Sequence, residues 1–206
     1  MRTLPAAFNN LITQYPVRKY KKGRPIFYQG EVPRTAYLIK SGVVRVYGIN
    51  NSGEERIVTF FVAGDLIPVG WLFQKSPVSL YYYDAVTDCD LVAIAKEEFL
   101  EEVNKDERLK MELLNMYMVH YIGSTMHIYA LEHARAQEKL IRILQYLVLR
   151  FGIEKQDGNF LVDLRLTHQD LACMVGLSRE TSALELGKLK KKGVISYESF
   201  TYTVNM

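Results

Sequence analysis

Residues 166–195 read Leu-Thr-His-Gln-Asp-Leu-Ala-Cys-Met-Val-Gly-Leu-Ser-Arg-Glu-Thr-Ser-Ala-Leu-Glu-Leu-Gly-Lys-Leu-Lys-Lys-Lys-Gly-Val-Ile. Thr167 suits a helix N-cap, and Asp170 at the N3 position gives a close variant of the capping box. The short helix this predicts, Gln169–Val175, stops at Gly176, whose missing Cβ permits a left-handed turn. Ser178 then caps a second helix, Arg179 to about Lys192, and Gly193 ends it. A short helix, a tight glycine turn and a second helix make a helix-turn-helix.

The second helix has two faces. Leu186 and Leu189 can pack against the first helix. Glu180, Ala183, Leu184, Gly187 and Lys188 recur at i, i+3, i+4, i+7 and i+8 on the other side. Residues 178–193 hold five basic side chains against two acidic ones, a local excess of +3 that equals the net charge of the whole chain. Arg179 and Glu180 fall in the first turn, the part of a recognition helix that reaches base edges. Arginine can donate twice to guanine, and glutamate can accept from cytosine N4. Lys188 and the run Lys190–Lys192 suit phosphates, which set affinity and salt dependence but carry no sequence information. Ser196–Val204 resembles a β-hairpin, a wing beside the DNA backbone.

Upstream, a helix is expected over about 136–151, with Leu140, Ile143, Leu144, Leu147 and Val148 on its apolar side, and a strand over Phe160–Leu164. Glu107 to about His133 reads as one long helix without proline. In it Met111, Leu114, Met118, Tyr121, Thr125 and Ile128 alternate spacings of 3 and 4, the period of a coiled-coil seam. That pattern favours a helix with one face on its own domain and one on a second copy. Residues 20–95 read as β: runs at Ala36–Ile39, Val43–Ile49, Arg56–Val62, Tyr81–Val86 and Leu91–Ile94 recur between turn signals such as Asn51-Ser52-Gly53. Many short, evenly spaced strands suggest a barrel or sandwich.

Composition narrows the function. The 206 residues are 49% hydrophobic and 24% charged, which suits one or two ordinary folded domains. Two cysteines, Cys89 and Cys173, exclude a disulfide scaffold and a four-cysteine metal or iron–sulfur site within one chain. Residues 1–16 have no long apolar core and do not read as a signal peptide, and no run of 18 apolar residues occurs, so a cytoplasmic protein is expected. The first histidine is His120, after the whole β region, which argues against a cupin-type metal site. No Gly-Lys-Ser/Thr phosphate loop and no Gly-x-Ser-x-Gly elbow is present, so an enzyme is not expected.

Gly176-Leu177-Ser178-Arg179-Glu180-Thr181 resembles the helix-turn-helix core of the Crp/Fnr family of bacterial transcription regulators. Tyr20-Lys-Lys-Gly, Tyr28-Gln-Gly-Glu, Tyr37-Leu-Ile-Lys-Ser-Gly-Val-Val-Arg-Val-Tyr and Gly64-Asp65 follow that family's β-roll pattern in order. The resemblance spans roughly residues 18–206. It implies an α+β fold with an N-terminal double-stranded β-helix (β-roll) sensor domain over 1–106, a dimerisation helix over 107–135 and a winged helix-turn-helix over 136–206. It further implies a homodimer on an inverted-repeat operator in double-stranded DNA. RNA polymerase enters as a partner if the regulator activates, through a surface the sequence does not locate.

Site residues carry over in part. Arg179 and Glu180 match the family's base-reading pair, and Thr167, His168 and Gln169 hold positions that commonly touch the DNA backbone, where Ser178, Lys188, Lys190 and Lys191 join them. Leu184 stands where a second base-reading arginine often lies. It can meet a thymine methyl but cannot donate to guanine.

The cyclic-nucleotide site carries over poorly. Pro68-Val69 stands for the family's Gly-Glu pair and Ser79-Leu80 for its Arg-Ser or Arg-Thr pair, so the carboxylate for the ribose and the guanidinium for the phosphate are both missing. A buried phosphate charge without a cation is costly, and ordinary cyclic-AMP binding is not expected. Ser124-Thr125 falls where the cyclic-AMP receptor has its Thr-Ser pair, although small residues also suit close helix approach. Trp71, Ser79, Tyr81, Tyr82 and Tyr83, with Ser124 and Thr125, either line a pocket for an effector of unknown identity or fill it and leave a sensor without a ligand. An iron–sulfur cluster lacks its cysteines. His120, His127 and His133 are the haem-ligand candidates on the long helix, but read better as surface or interface groups. The other function class in play is a ligand-binding module whose output is protein contact. A regulator that truly depends on cyclic nucleotide is the third reading.

Overall fold

The computed structural model describes residues 4–205; residues 1–3 and 206, the outermost positions of the expected domains, lie outside it. The chain divides into two units, one ending at Met116 and the other beginning at Tyr117. The first opens with a 3-10 turn, Ala6–Phe8, and a short helix α1 (Asn9–Gln14). Then come β1 (Val17–Tyr20), β2 (Pro25–Phe27), β3 (Ala36–Ser41), β4 (Val43–Ile49), β5 (Glu55–Val62), β6 (Leu66–Ile67), the single turn α2 (Val69–Leu72), β7 (Tyr82–Ala85), β8 (Cys89–Ile94) and α3 (Lys96–Lys105). The hairpin expected at Asn51-Ser52-Gly53 joins β4 to β5. The Asn50 side-chain oxygen accepts the N–H groups of Ser52 and Glu54 at 3.0 and 2.9 Å, which closes the turn before the strands pair at Ile49 and Glu55.

The strands form two antiparallel sheets, β1-β8-β3-β6 and β2-β7-β4-β5. Side-chain alternation decides what enters the roll. Val44 and Val46 of β4, and Tyr83 and Ala85 of β7, are buried in its core. Arg45, Tyr47, Tyr82 and Asp84 lie on the other face. There Arg45 holds Asp84 with two hydrogen bonds, of 3.1 and 2.7 Å, and Glu55 with one of 2.9 Å. The core contains a chain of rings. Tyr20 meets Tyr37 at 5.9 Å, Tyr37 meets Phe27 at 5.5 Å, Phe27 meets Tyr83 at 5.7 Å, and Tyr83 stacks on Phe61 at 6.4 Å. Burial pushes the Tyr37 hydroxyl up to about 12, so it stays neutral while accepting from Arg18 at 3.0 Å.

Helix α4 (Glu107–Glu132) crosses the division between the units. Along it Met111, Leu114, Met118, Tyr121, Thr125 and Ile128 are all exposed in the single chain. The second unit continues with α5 (Ala136–Phe151), β9 (Gly152–Glu154), β10 (Phe160–Val162), α6 (His168–Val175), α7 (Arg179–Lys191), β11 (Ile195–Glu198) and β12 (Thr201–Val204). The four strands form one antiparallel sheet, β11-β12-β10-β9. Leu140, Ile143, Leu144 and Leu147 of α5 are buried with Leu171 and Val175 of α6 and Leu186 and Leu189 of α7, three helices in mutual contact. Among the described residues no helix is long and apolar enough to cross a membrane.

Candidate nucleic-acid interface

Local chemistry builds both helices of the motif. The Thr167 hydroxyl oxygen accepts the Asp170 N–H at 3.1 Å, and the Asp170 carboxylate accepts the Thr167 N–H at 2.7 Å. This is the reciprocal pair of a capping box. Gly176 closes α6 at φ 69°, ψ 35°, and the Leu177 N–H turns back to the Ala172 carbonyl at 3.0 Å. Ser178 Oγ accepts the Thr181 N–H at 3.1 Å and starts α7. Ser178→Ala is therefore expected to cost about 1 kcal/mol through the lost cap. Thermal unfolding of the purified chain measures it, and no change would mean another group takes over the freed N–H.

The exposed face of α7 carries Arg179, Glu180, Leu184, Lys188 and Lys191, with Ala183 and Gly187 half-buried among them. Neither the Arg179 guanidinium nor the Glu180 carboxylate makes a hydrogen bond or ion pair among the described residues. Leu184 is 60% exposed, a position that no packing requirement of this chain explains. The lysines differ from one another. Lys188 pairs with Glu185 at 2.6 Å, and Lys192 donates to the Gln137 side-chain oxygen at 2.7 Å. The Lys190 ammonium lies 4.6 Å from the centre of the Tyr197 ring and donates to the Tyr197 carbonyl at 3.3 Å. Lys191 makes no such contact among the described residues.

The wing is β11 and β12, joined by a two-residue turn. Its two residues, Ser199 and Phe200, have φ of 49° and 66°. Two successive left-handed residues match the twist of a tight hairpin, but such turns normally use asparagine and glycine. Here the Phe200 carbonyl accepts the Leu166 N–H at 2.9 Å, and its ring meets the Arg165 guanidinium at 5.7 Å and the His168 ring at 5.8 Å. His168 also meets Tyr197 edge-on at 5.6 Å. Burial first, and the nearby Arg179 charge second, hold the His168 imidazole below its ordinary pKa. His168, expected at the DNA backbone, is placed by its ring contacts between the wing and the start of α6. Thr167 and Gln169 beside it are exposed. Sequence reasoning missed Arg165, Tyr197 and Phe200, because a Ser-Phe pair gives no turn signal.

The seven residues expected around an effector have divergent placements. Tyr83 is in the roll core, whereas Tyr82 is on the opposite face of β7, stacked on Tyr47 at 5.2 Å. The buried Ser79 hydroxyl donates to the Tyr81 carbonyl at 2.8 Å, and Tyr81 is exposed. Trp71 faces the Lys96 ammonium at 4.9 Å. In the second unit Ser124 and Thr125 are exposed, and the Thr125 hydroxyl donates to the Ile122 carbonyl of its own helix at 2.7 Å. Tyr82 and Tyr83 therefore cannot share a wall.

The first unit is thus a β-roll and the second a winged helix-turn-helix. Known proteins match both parts. Residues 17–106 match the model of the cyclic nucleotide-binding domain, and residues 138–205 match that of the Crp-like helix-turn-helix domain. The global nitrogen regulator of Nostoc sp. is 26% identical over 92% of this chain and 85% of its own length. The cyclic AMP receptor protein of Thermus thermophilus is 26% identical over 93% of this chain and 84% of its own. Among solved structures, FixK2 from Bradyrhizobium japonicum superposes with a TM-score of 0.74 at 18% identity, covering 93% of each chain. The chain belongs to the Crp/Fnr family of transcription regulators, whose members are not enzymes.

Proposed function

We propose that this regulator binds as a homodimer to an inverted-repeat operator and that its β-roll works without a cyclic nucleotide. The observation that carries the first part is the outward face of α4, which leaves five large apolar side chains of the seam exposed in the single chain. A helix face of that kind in a water-exposed protein marks a partner, and its 3-4 spacing suits a second copy of itself. Pairing through α4 places two α7 helices on one side of a duplex, where successive major grooves lie about 34 Å apart. Arg179 and Glu180 then read bases, Leu184 meets a thymine methyl, and Lys191 and Lys188 neutralise phosphates.

Two observations support the second part. The positions that resemble the family's phosphate site hold Pro68, Val69, Ser79 and Leu80, which offer no cation, and the buried Ser79 hydroxyl is already bonded. The roll core is occupied by Phe27, Tyr37, Phe61 and Tyr83. These residues do not fit a cyclic phosphate. An apolar or aromatic effector entering beside Trp71 and Tyr81 is the remaining ligand reading.

Selection of bound duplexes from a random DNA pool, at fixed salt, tests both parts. An inverted repeat enriched equally with and without cyclic nucleotides is expected. Enrichment only with a cyclic nucleotide would overturn the second part, and no enrichment in any arm would favour protein contact as the output. On the selected operator, Lys191→Ala is expected to weaken all sequences alike and to flatten the slope of log affinity against log salt by about 1 for each lysine removed. An unchanged slope would remove Lys191 from the phosphate contacts.

A further inference from the structure

Helix α4 has a second face, opposite the seam. His120, Gly123, His127 and Ala130 recur there at spacings of 3, 4 and 3. Gly123 marks a close crossing with α5, because a Cβ at that position would lie 2.9 Å from Cε2 of Tyr146 and 3.3 Å from Cδ of Arg150. One turn on, His127 is only 8% exposed, and its ring stacks on Tyr146 at 5.6 Å with 28° between the planes. Its Nε2 lies 2.7 Å from the Met174 carbonyl oxygen. A carbonyl only accepts, so His127 carries its proton on Nε2 and donates.

The position of that carbonyl gives the bond its meaning. Met174 lies in the last turn of α6, two residues before Gly176. Carbonyls in the last turn of a helix have no N–H of their own helix to accept from. His127 therefore satisfies an end carbonyl of the helix-turn-helix at the corner where the chain reverses into the reading helix.

We propose that His127 is the positioning residue that fixes the helix-turn-helix on the pairing helix, and so sets the separation of the two reading helices. The hydrogen bond is directional and buried, the ring is clamped by Tyr146, and Gly123 lets α5 approach closely beside it. Rotation of α6 about α4 breaks the bond and leaves a buried carbonyl without its donor. The reader is thereby held in one orientation by the chain's own contacts, with no effector required. This inference rests on the reading of α4 as the pairing helix.

The test is spacing tolerance. Affinities are measured for inverted repeats with the selected spacer and with one base pair removed or added, and for an isolated half-site. The proteins are the unmodified chain, His127→Phe and His127→Gln. Phenylalanine keeps the stack on Tyr146 and removes the donor, whereas glutamine restores an N–H donor at similar reach. For the unmodified dimer a one-base-pair change is expected to cost more than about tenfold, because it mismatches a whole half-site. His127→Phe should bind the half-site within about twofold of the unmodified chain, yet show the spacer preference reduced to about threefold or less. His127→Gln should regain most of the preference. A His127→Phe protein that loses affinity on every duplex alike, half-site included, has lost only stability and overturns the proposal. So does one that keeps the full spacer preference. An unmodified chain with no spacer preference overturns the dimer reading and the proposal together.

Discussion

Met118→Asp combined with Tyr121→Asp is expected to leave a folded single chain that no longer holds an inverted-repeat operator. Met118 is 49% exposed and Tyr121 66% exposed in the single chain, so neither substitution removes a buried contact from the fold. In the proposed dimer both fall in the seam, and two-fold symmetry would bring four carboxylates together. A buried charge without a partner costs about 3–5 kcal/mol. Across the four, the pairing constant falls on the order of 10⁴-fold or more even with allowance for water entry. Sedimentation should report the single-chain mass with unchanged circular dichroism, and operator binding should drop to the level of an isolated half-site. A double variant that keeps twice the chain mass would place the pairing surface away from α4.

Arg179→Ala has the second large effect, on reading rather than assembly. Arg179 is exposed at the start of α7 and holds nothing else in place, so the melting temperature is expected to stay where it was. A bidentate arginine–guanine contact contributes roughly 1–3 kcal/mol of discrimination. An inverted repeat contains the contact twice, so the loss is roughly 30-fold to 10⁴-fold on the preferred operator. It should be confined to one base pair in each half-site, where the variant becomes indifferent to the base. An equal loss on every sequence would instead make Arg179 a phosphate contact.

The parts of this molecule that were legible from sequence share a physical property: their determinants are local. Thr167, Asp170, Gly176 and Ser178 each act on backbone groups within five residues, so the motif followed from residue type and spacing. The long helix and the 3-4 spacing of its exposed apolar face were legible for the same reason, since a helical face is a repeat along the chain. The parts that were not legible depend on distant partners or on broken patterns. Three tyrosines in a row, Tyr81–Tyr83, erase the alternation that tells inside from outside, and pairing of β7 with β4 decides that Tyr83 enters the core while Tyr82 leaves it. The wing turn at Ser199 and Phe200 uses neither glycine nor asparagine and is held by Arg165, Leu166 and His168. The bond from His127 to Met174 spans 47 residues and meets a backbone atom, which no side-chain pattern reveals.

A roll whose core is a continuous run of rings from Tyr20 to Phe61 gains apolar burial from its own side chains. A ligand can shift the protein between states only by the difference in its affinity for them. On the proposed function, a dimer whose roll core is occupied and whose reader is tied to α4 through His127 is expected to bind DNA without an added effector.

Whether a dimer reads the operator is decided by the stoichiometry and affinity of the unmodified chain, without added effector and at one fixed salt concentration, on two duplexes of equal length. One carries the selected inverted repeat and the other a single half-site in the same flanks. Two chains per duplex on the inverted repeat, bound at least about a hundredfold more tightly than the half-site, is the result predicted for a dimer that reads both half-sites through Arg179 and Glu180. One chain per duplex, or equal affinity for the two, would contradict it.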